Sequence, residues 1–215
     1  GATGQEVRGQ FADSRLPIVD VAAVIGGGLL AETEGQAGIS KLTADLLTRG
    51  TSRLNATELA ELLERRAATM SSFSGRNTYG LTASGMSEDF PLMMNTLAEC
   101  LLDSQFPEDE LEKQRTLQLA AIRQSMEQPM NHARDAIQTT FFPGHPYSFS
   151  TLGDSNIVAS LQRDDVHAFH KKLLSASNLV VSVFGDITLE EAIARVGQPL
   201  AALPNQPAPT QPPLP

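Results

Sequence analysis

The sequence predicts an α+β fold, a two-layer sandwich in which a mostly antiparallel sheet carries helices packed on one face. Three observations predict it. Residues 16–25 (LPIVDVAAVI) are a β-branched run closed by Gly26, Gly27 and Gly28, and residues 179–184 (LVVSVF) are a second run closed by Gly185-Asp186. Between them, several stretches place apolar residues at helical spacing. The resulting order, βαα-β-ααα-β-α, lacks the regular alternation of a parallel βαβ series.

Taken in order, 7–11 (VRGQF) is a candidate partner for the first strand. From residue 36 to 48, Ile39, Leu42 and Leu46 fall on one helical face, and Gly50 stands where a C-terminal cap belongs. Asn55 followed by Glu58 has the form of a capping box, with Leu59, Leu62 and Leu63 on the face behind it, and this helix gives way near Thr69. Residues 70–87, rich in Ser, Thr, Gly and Tyr with partial alternation at Tyr79, Leu81 and Ala83, read as one or two strands. Ser87 opens a helix that turns Leu92, Met93, Leu97 and Leu101 inward. Phe106-Pro107-Glu108 puts a proline and then acids at the start of a helix reaching about Glu127, which suits the macrodipole.

Pro129 starts another helix, ended by Phe142-Pro143-Gly144, and residues 164–174 form a short amphipathic one. The run 179–184 reads as a buried strand, and a last helix extends from Leu189 to about Leu203. Residues 1–203 are thus expected to form a single α+β domain. Residues 204–215 (PNQPAPTQPPLP) are expected to be a semi-rigid linker.

Composition excludes some functions. The chain has 215 residues, enough for a substantial core, and 16 Lys+Arg against 25 Asp+Glu give a net charge of -9. With no basic run, nucleic acid is not an expected partner. No segment approaches the apolar length of a membrane span, and Cys100, the lone cysteine, reads as a buried thiol.

The short motifs are weak. Gly26-Gly27-Gly28-Leu29-Leu30-Ala31 matches a dinucleotide fingerprint with Asp45 downstream, yet Glu32, Thr33, Glu34 and Gly35 intervene where a helix should open directly. Of the four histidines only His167 and His170 have a ligand-like spacing, and their cationic neighbours favour a solvated helix face. His145 sits in a turn context, and no serine lies in a nucleophile elbow.

The segment from Ala37 to Thr51 (AGISKLTADLLTRGT) resembles the signature of the M16 (insulinase, pitrilysin and mitochondrial processing peptidase-like) zinc peptidases. In that family a Gly-Leu/Ile helix entrance leads through H-x-x-E-H to Lys/Arg-Gly-Thr. Further landmarks follow in the same order: LPIVDV, Gly144-His145-Pro146-Tyr147, residues 161–172, and Asn178 through Gly185-Asp186. The likeness spans residues 6–205 or so. It implies that the two His positions are held here by Lys41 and Asp45, the general-base Glu position by Ala44, and the distant Glu ligand, about 76 residues on, by Ala121.

What the resemblance implies is a non-catalytic N-terminal half, with no catalytic residue, no metal ligand and no cofactor of its own. Zinc is expected in a catalytic partner. The expected partners are a catalytic M16 subunit or a second M16 half, together with a peptide substrate, and the chain would serve as a chamber wall in a bacterial periplasmic or cytoplasmic peptidase. Other readings remain open: a fragment of an active peptidase whose site lies elsewhere in a longer chain, a stand-alone assembly or binding module, and a dinucleotide binder.

Overall fold

The structure, a computed structural model, describes residues 16–210. Four strands form one sheet: β1 (Ile18–Gly26), β2 (Thr69–Ser74), β3 (Thr78–Met86) and β4 (Leu179–Gly185), in the order β2-β3-β1-β4. All three pairings are antiparallel. That alone removes the parallel crossover a dinucleotide fold requires. The proposed strand 7–11 lies outside the described residues.

Alternation decides which face of the sheet is covered. Val19, Val21, Ala23 and Ile25 of β1 are buried, as are Tyr79, Leu81 and Ala83 of β3, while Asp20 and Thr82 face solvent. The helices α1 (Ile39–Leu46), α2 (Ala56–Glu64), α3 (Phe90–Leu102), α4 (Glu108–Met126), α5 (Pro129–Phe141), α6 (Ser155–Ser160), α7 (Arg163–Leu173) and α8 (Leu189–Gly197) complete the chain. The core joins the inner strand residues to Ile39, Leu42 and Leu46 of α1, Met93, Leu97 and Leu101 of α3, and Val166, Phe169 and Leu173 of α7.

Local chemistry accounts for the helix starts. Asn55 accepts from the backbone N–H of Thr57 and Glu58, and the Glu58 carboxylate accepts from Asn55 N–H, which is the expected capping box. Asp154 caps α6, a short helix that carries no clear periodic signal.

Two expectations are corrected. The run 179–184 is not fully buried: β4 is an edge strand with Val180, Ser182 and Phe184 exposed, because its outer face has no layer above it. The last helix ends at Gly197, and Leu200 and Leu203 reach the core through a turn. The described part of the proline-rich stretch, 204–210, starts with bonds to the domain. Pro204 carbonyl accepts from Ala176 N–H at 2.9 Å, and the Gln206 amide donates to the carbonyls of Lys171 and Leu174 at the end of α7.

Candidate functional site

α1 is set by its approach. After β1 the chain makes two short 3-10 turns, Gly28–Ala31 and Glu34–Gln36, and enters the helix at Gly38 with φ of 101°. A side chain there would meet Val158, the Gln118 amide and Gly153 Cα, so glycine is required by both backbone conformation and space. The fingerprint glycines therefore open a four-residue 3-10 turn, not a phosphate-binding α-helix.

The intervening Glu32, which weakened the fingerprint in the sequence, has a structural role. Its side chain is buried and accepts from Gly38 N–H at 2.8 Å, Ser40 N–H at 3.0 Å and Ser40 Oγ at 2.5 Å, satisfying the free donors at the start of α1. Burial pushes its carboxyl up to about 7, against the opposing pull of those hydrogen bonds. Ser74 on β2 donates to Ser40 Oγ at 3.3 Å, tying the edge strand to the same helix.

Lys41, Ala44 and Asp45 all lie on α1. Lys41 Nζ pairs with Asp45 Oδ2 at 2.7 Å, one helical turn apart, with both side chains partly exposed. Ala44 is fully buried in the core. Ala121 is on α4, which packs against α1, and is partly buried. One turn before it, Gln118 donates to the carbonyls of Gly38 and Leu152, joining α4 to the entrance of α1.

This set does not fit zinc. A zinc centre of the H-x-x-E-H kind needs neutral imidazoles and a carboxylate around the ion. Here an ammonium already occupies the Asp45 carboxylate, and two alanines bring only methyl groups. Among the described residues, no three His, Cys, Asp or Glu side chains are grouped where they could hold a metal ion.

One histidine falls otherwise than expected. His167 is exposed, but His170 is buried, which corrects the reading of that pair as a solvated face. Its Nε2 lies 2.7 Å from the Leu101 carbonyl and its Nδ1 3.0 Å from Tyr79 Oη, so Nε2–H donates and Nδ1 accepts from the hydroxyl. The bonds join α7, α3 and β3 through a neutral imidazole. Burial holds the ring down to about 4. Spacing alone could not separate this core histidine from a surface one, because Val166 and Phe169 carry the apolar signal of the same face. His145 caps a short 3-10 turn, accepting from Tyr147 N–H at 3.1 Å.

The profile described as Insulinase (Peptidase family M16) matches residues 12–155, and that described as Peptidase M16 inactive domain matches 160–215. The chain belongs to the M16 family. The non-peptidase homolog YmxG of Helicobacter pylori is 28% identical over 180 residues, covering 84% of this chain and 41% of the relative. The uncharacterized zinc protease YmxG of Bacillus subtilis is 25% identical over 170 residues, 79% of this chain and 42% of the relative. The chain thus spans about two fifths of the length of these curated relatives.

Among solved M16 structures, the peptidase M16 inactive domain from Pseudomonas fluorescens superposes with a TM-score of 0.88 at 23% identity, over 94% of this chain and 49% of that one. The periplasmic protease PqqL from Escherichia coli superposes with a TM-score of 0.80 at 16% identity, over 91% of this chain and 22% of that one. The α+β class and the placement of helices on one face of an antiparallel sheet stand as the sequence predicted. No described helix is long and apolar enough to cross a membrane.

Proposed function

We propose that this chain is a non-catalytic M16 domain, acting as a partner or chamber wall for a zinc metallopeptidase that carries the working site. The single observation behind this is the Lys41–Asp45 ion pair on α1, with Ala44 between them and Ala121 on the neighbouring helix. If those four positions correspond to the family's ligands and base, no group remains to hold zinc or to take a proton from its water. The H. pylori relative that carries the name non-peptidase homolog supports the same reading.

A wall of this kind retains a way to hold peptide. β2 is an edge strand next to α1, and among the described residues its outer edge has no strand partner. An extended peptide can add there through main-chain hydrogen bonds without any catalytic group. The partner is then an M16 half or subunit with an intact H-x-x-E-H helix. The bacterial periplasm is the compartment favoured by the likeness to the E. coli periplasmic protease.

Elemental analysis of the purified, dialysed chain is expected to find far less than one zinc per molecule, and fluorogenic peptides are expected to stay intact. Tight one-to-one zinc would refute the proposal. The alternative, an active site elsewhere in a longer chain, has the covered fraction of the relatives in its favour. It is tested by zinc and activity in the full-length protein.

A further inference from the structure

Glu32 is a carboxyl group enclosed by the fold with no cation beside it. It is 3% exposed, and among the described residues its side chain is bonded by Gly38 N–H, Ser40 N–H and the Ser40 hydroxyl, all neutral. The ionisable groups on the elements packed around its turn are engaged elsewhere or lie in water. Lys41 and Asp45 of α1 pair with each other, Asp154 caps α6, His145 accepts from Tyr147 N–H, and Arg76 of the β2–β3 turn lies over the Tyr147 ring. Glu34 of the same turn and Lys172 near the end of α7 are exposed. β2 and β3 bring no ionised side chain, and Tyr79 on β3 is bonded to His170. An ionised Glu32 thus has donors but no countercharge, and the loss of water outweighs the bonds.

The turn that carries this group is held lightly. Thr33, Glu34 and Gly35 are exposed, and the bonds from Gln36 N–H to the Thr33 carbonyl and from Thr33 Oγ1 to the Gln36 side chain stay within the turn. A Cβ at Gly35 would meet nothing within 4 Å. Among the described residues, 33–37 reach another element through one hydrogen bond, from Asp154 N–H to the Ala37 carbonyl at 3.4 Å. The Glu32 carboxyl is therefore the main polar tie between the turn and the start of α1. It also governs a second connection, because the Ser40 hydroxyl that donates to it accepts from Ser74 Oγ on β2.

We propose that Glu32 is a proton-operated latch on the entrance of α1: with the carboxyl protonated the turn 32–38 stays shut and α1 is tied to β2 through Ser40 and Ser74, and loss of the proton lets this turn open into water while the domain stays folded. The latch requires neither zinc nor peptide, so it and the non-catalytic reading can fail separately. Shut, the carboxyl stands at about 7; opened to water it returns to 4.5. The advantage of the shut form is full below pH 4.5 and is lost as pH rises toward 7. Between pH 5 and pH 7 the open population rises about 40-fold. Global unfolding responds less, because it also exposes His170, whose opposite shift cancels most of the change over the same interval.

Amide hydrogen exchange followed by NMR, with rates corrected for the intrinsic effect of pH, reads the latch directly. Protection of Gly38 and Ser40 N–H is expected to fall about 40-fold from pH 5 to pH 7, while Ala23, in a strand paired on both sides, changes by less than about 3-fold. Glu32→Gln keeps the shape and cannot ionise, so protection at Gly38 and Ser40 should be level across the same range. Ser74→Ala leaves the carboxyl and its donors in place and should keep the full slope. The native chain supplies a readout without any variant, since the Glu32 carboxyl carbon should titrate near pH 7. Level protection in the native chain, an equal fall at Ala23, a slope that survives in Glu32→Gln or is lost in Ser74→Ala, or a carboxyl titrating near 4.5 overturns the proposal.

Discussion

Glu32 and His170 are expected to oppose each other in the pH dependence of stability, and the size of the effect follows from their surroundings. Glu32 stands at about 7 in the fold against 4.5 unfolded. The folded protein therefore keeps a proton that the unfolded chain releases. The stability so contributed is full below pH 4.5 and is lost as pH rises toward 7. His170 stands at about 4 against 6.5. Its contribution is present above pH 6.5 and is lost as pH falls toward 4. Between pH 7 and pH 5, Glu32 adds about 2 kcal/mol and His170 removes about 2 kcal/mol. From these two groups the native chain should change little, although each is strongly perturbed. Urea unfolding followed by circular dichroism at both pH values separates them. His170→Gln leaves Glu32 unopposed, so that variant should be more stable at pH 5 than at pH 7 by about 2 kcal/mol. Glu32→Gln should show the reverse. Each variant has a lower baseline from altered hydrogen bonds, so the comparison is the slope with pH and not the absolute stability. Two variants with slopes of the same sign, or both parallel to the native chain, would refute the reasoning.

The Cys100 thiol, pushed up to about 12 chiefly by burial, should resist a thiol reagent at pH 8 and react only as the chain unfolds. Leu42→Ala, emptying a fully buried site on α1, should cost 2–5 kcal/mol, roughly, in chemical denaturation. Asn55→Ala removes both capping acceptors of α2 and should cost about 1 kcal/mol. Lys41→Met breaks a partly exposed pair and should cost no more than about 1 kcal/mol. The combined variant Lys41→His, Ala44→Glu, Asp45→His and Ala121→Glu should gain stoichiometric zinc by elemental analysis. Its failure to do so while folded would show that these four positions do not converge.

Much of this protein was legible in its residues because the signals are local. Alternation in 16–25, the Asn55–Glu58 pair and Pro107 before a run of acids act within a turn or a strand, and each element appeared where its own residues place it. The identities at 41, 44, 45 and 121 were likewise plain, since the loss of a donor atom is written in the side chain itself. Tertiary structure decided what depends on neighbours from distant sequence. β4 reads as a core strand, yet it pairs on one side only and no layer covers its outer face, so Val180 and Phe184 stay exposed. His170 and His167 are chemically the same and three residues apart, but Tyr79 and Leu101 enclose only one of them. Glu32 reads in the sequence only as a residue interrupting the glycine fingerprint, and it is the turn before α1 that folds it under Gly38 and Ser40, where removal from water governs its proton. Composition and periodicity determine which segments can bury a face; desolvation and hydrogen bonding are set by whatever the finished fold places around each group.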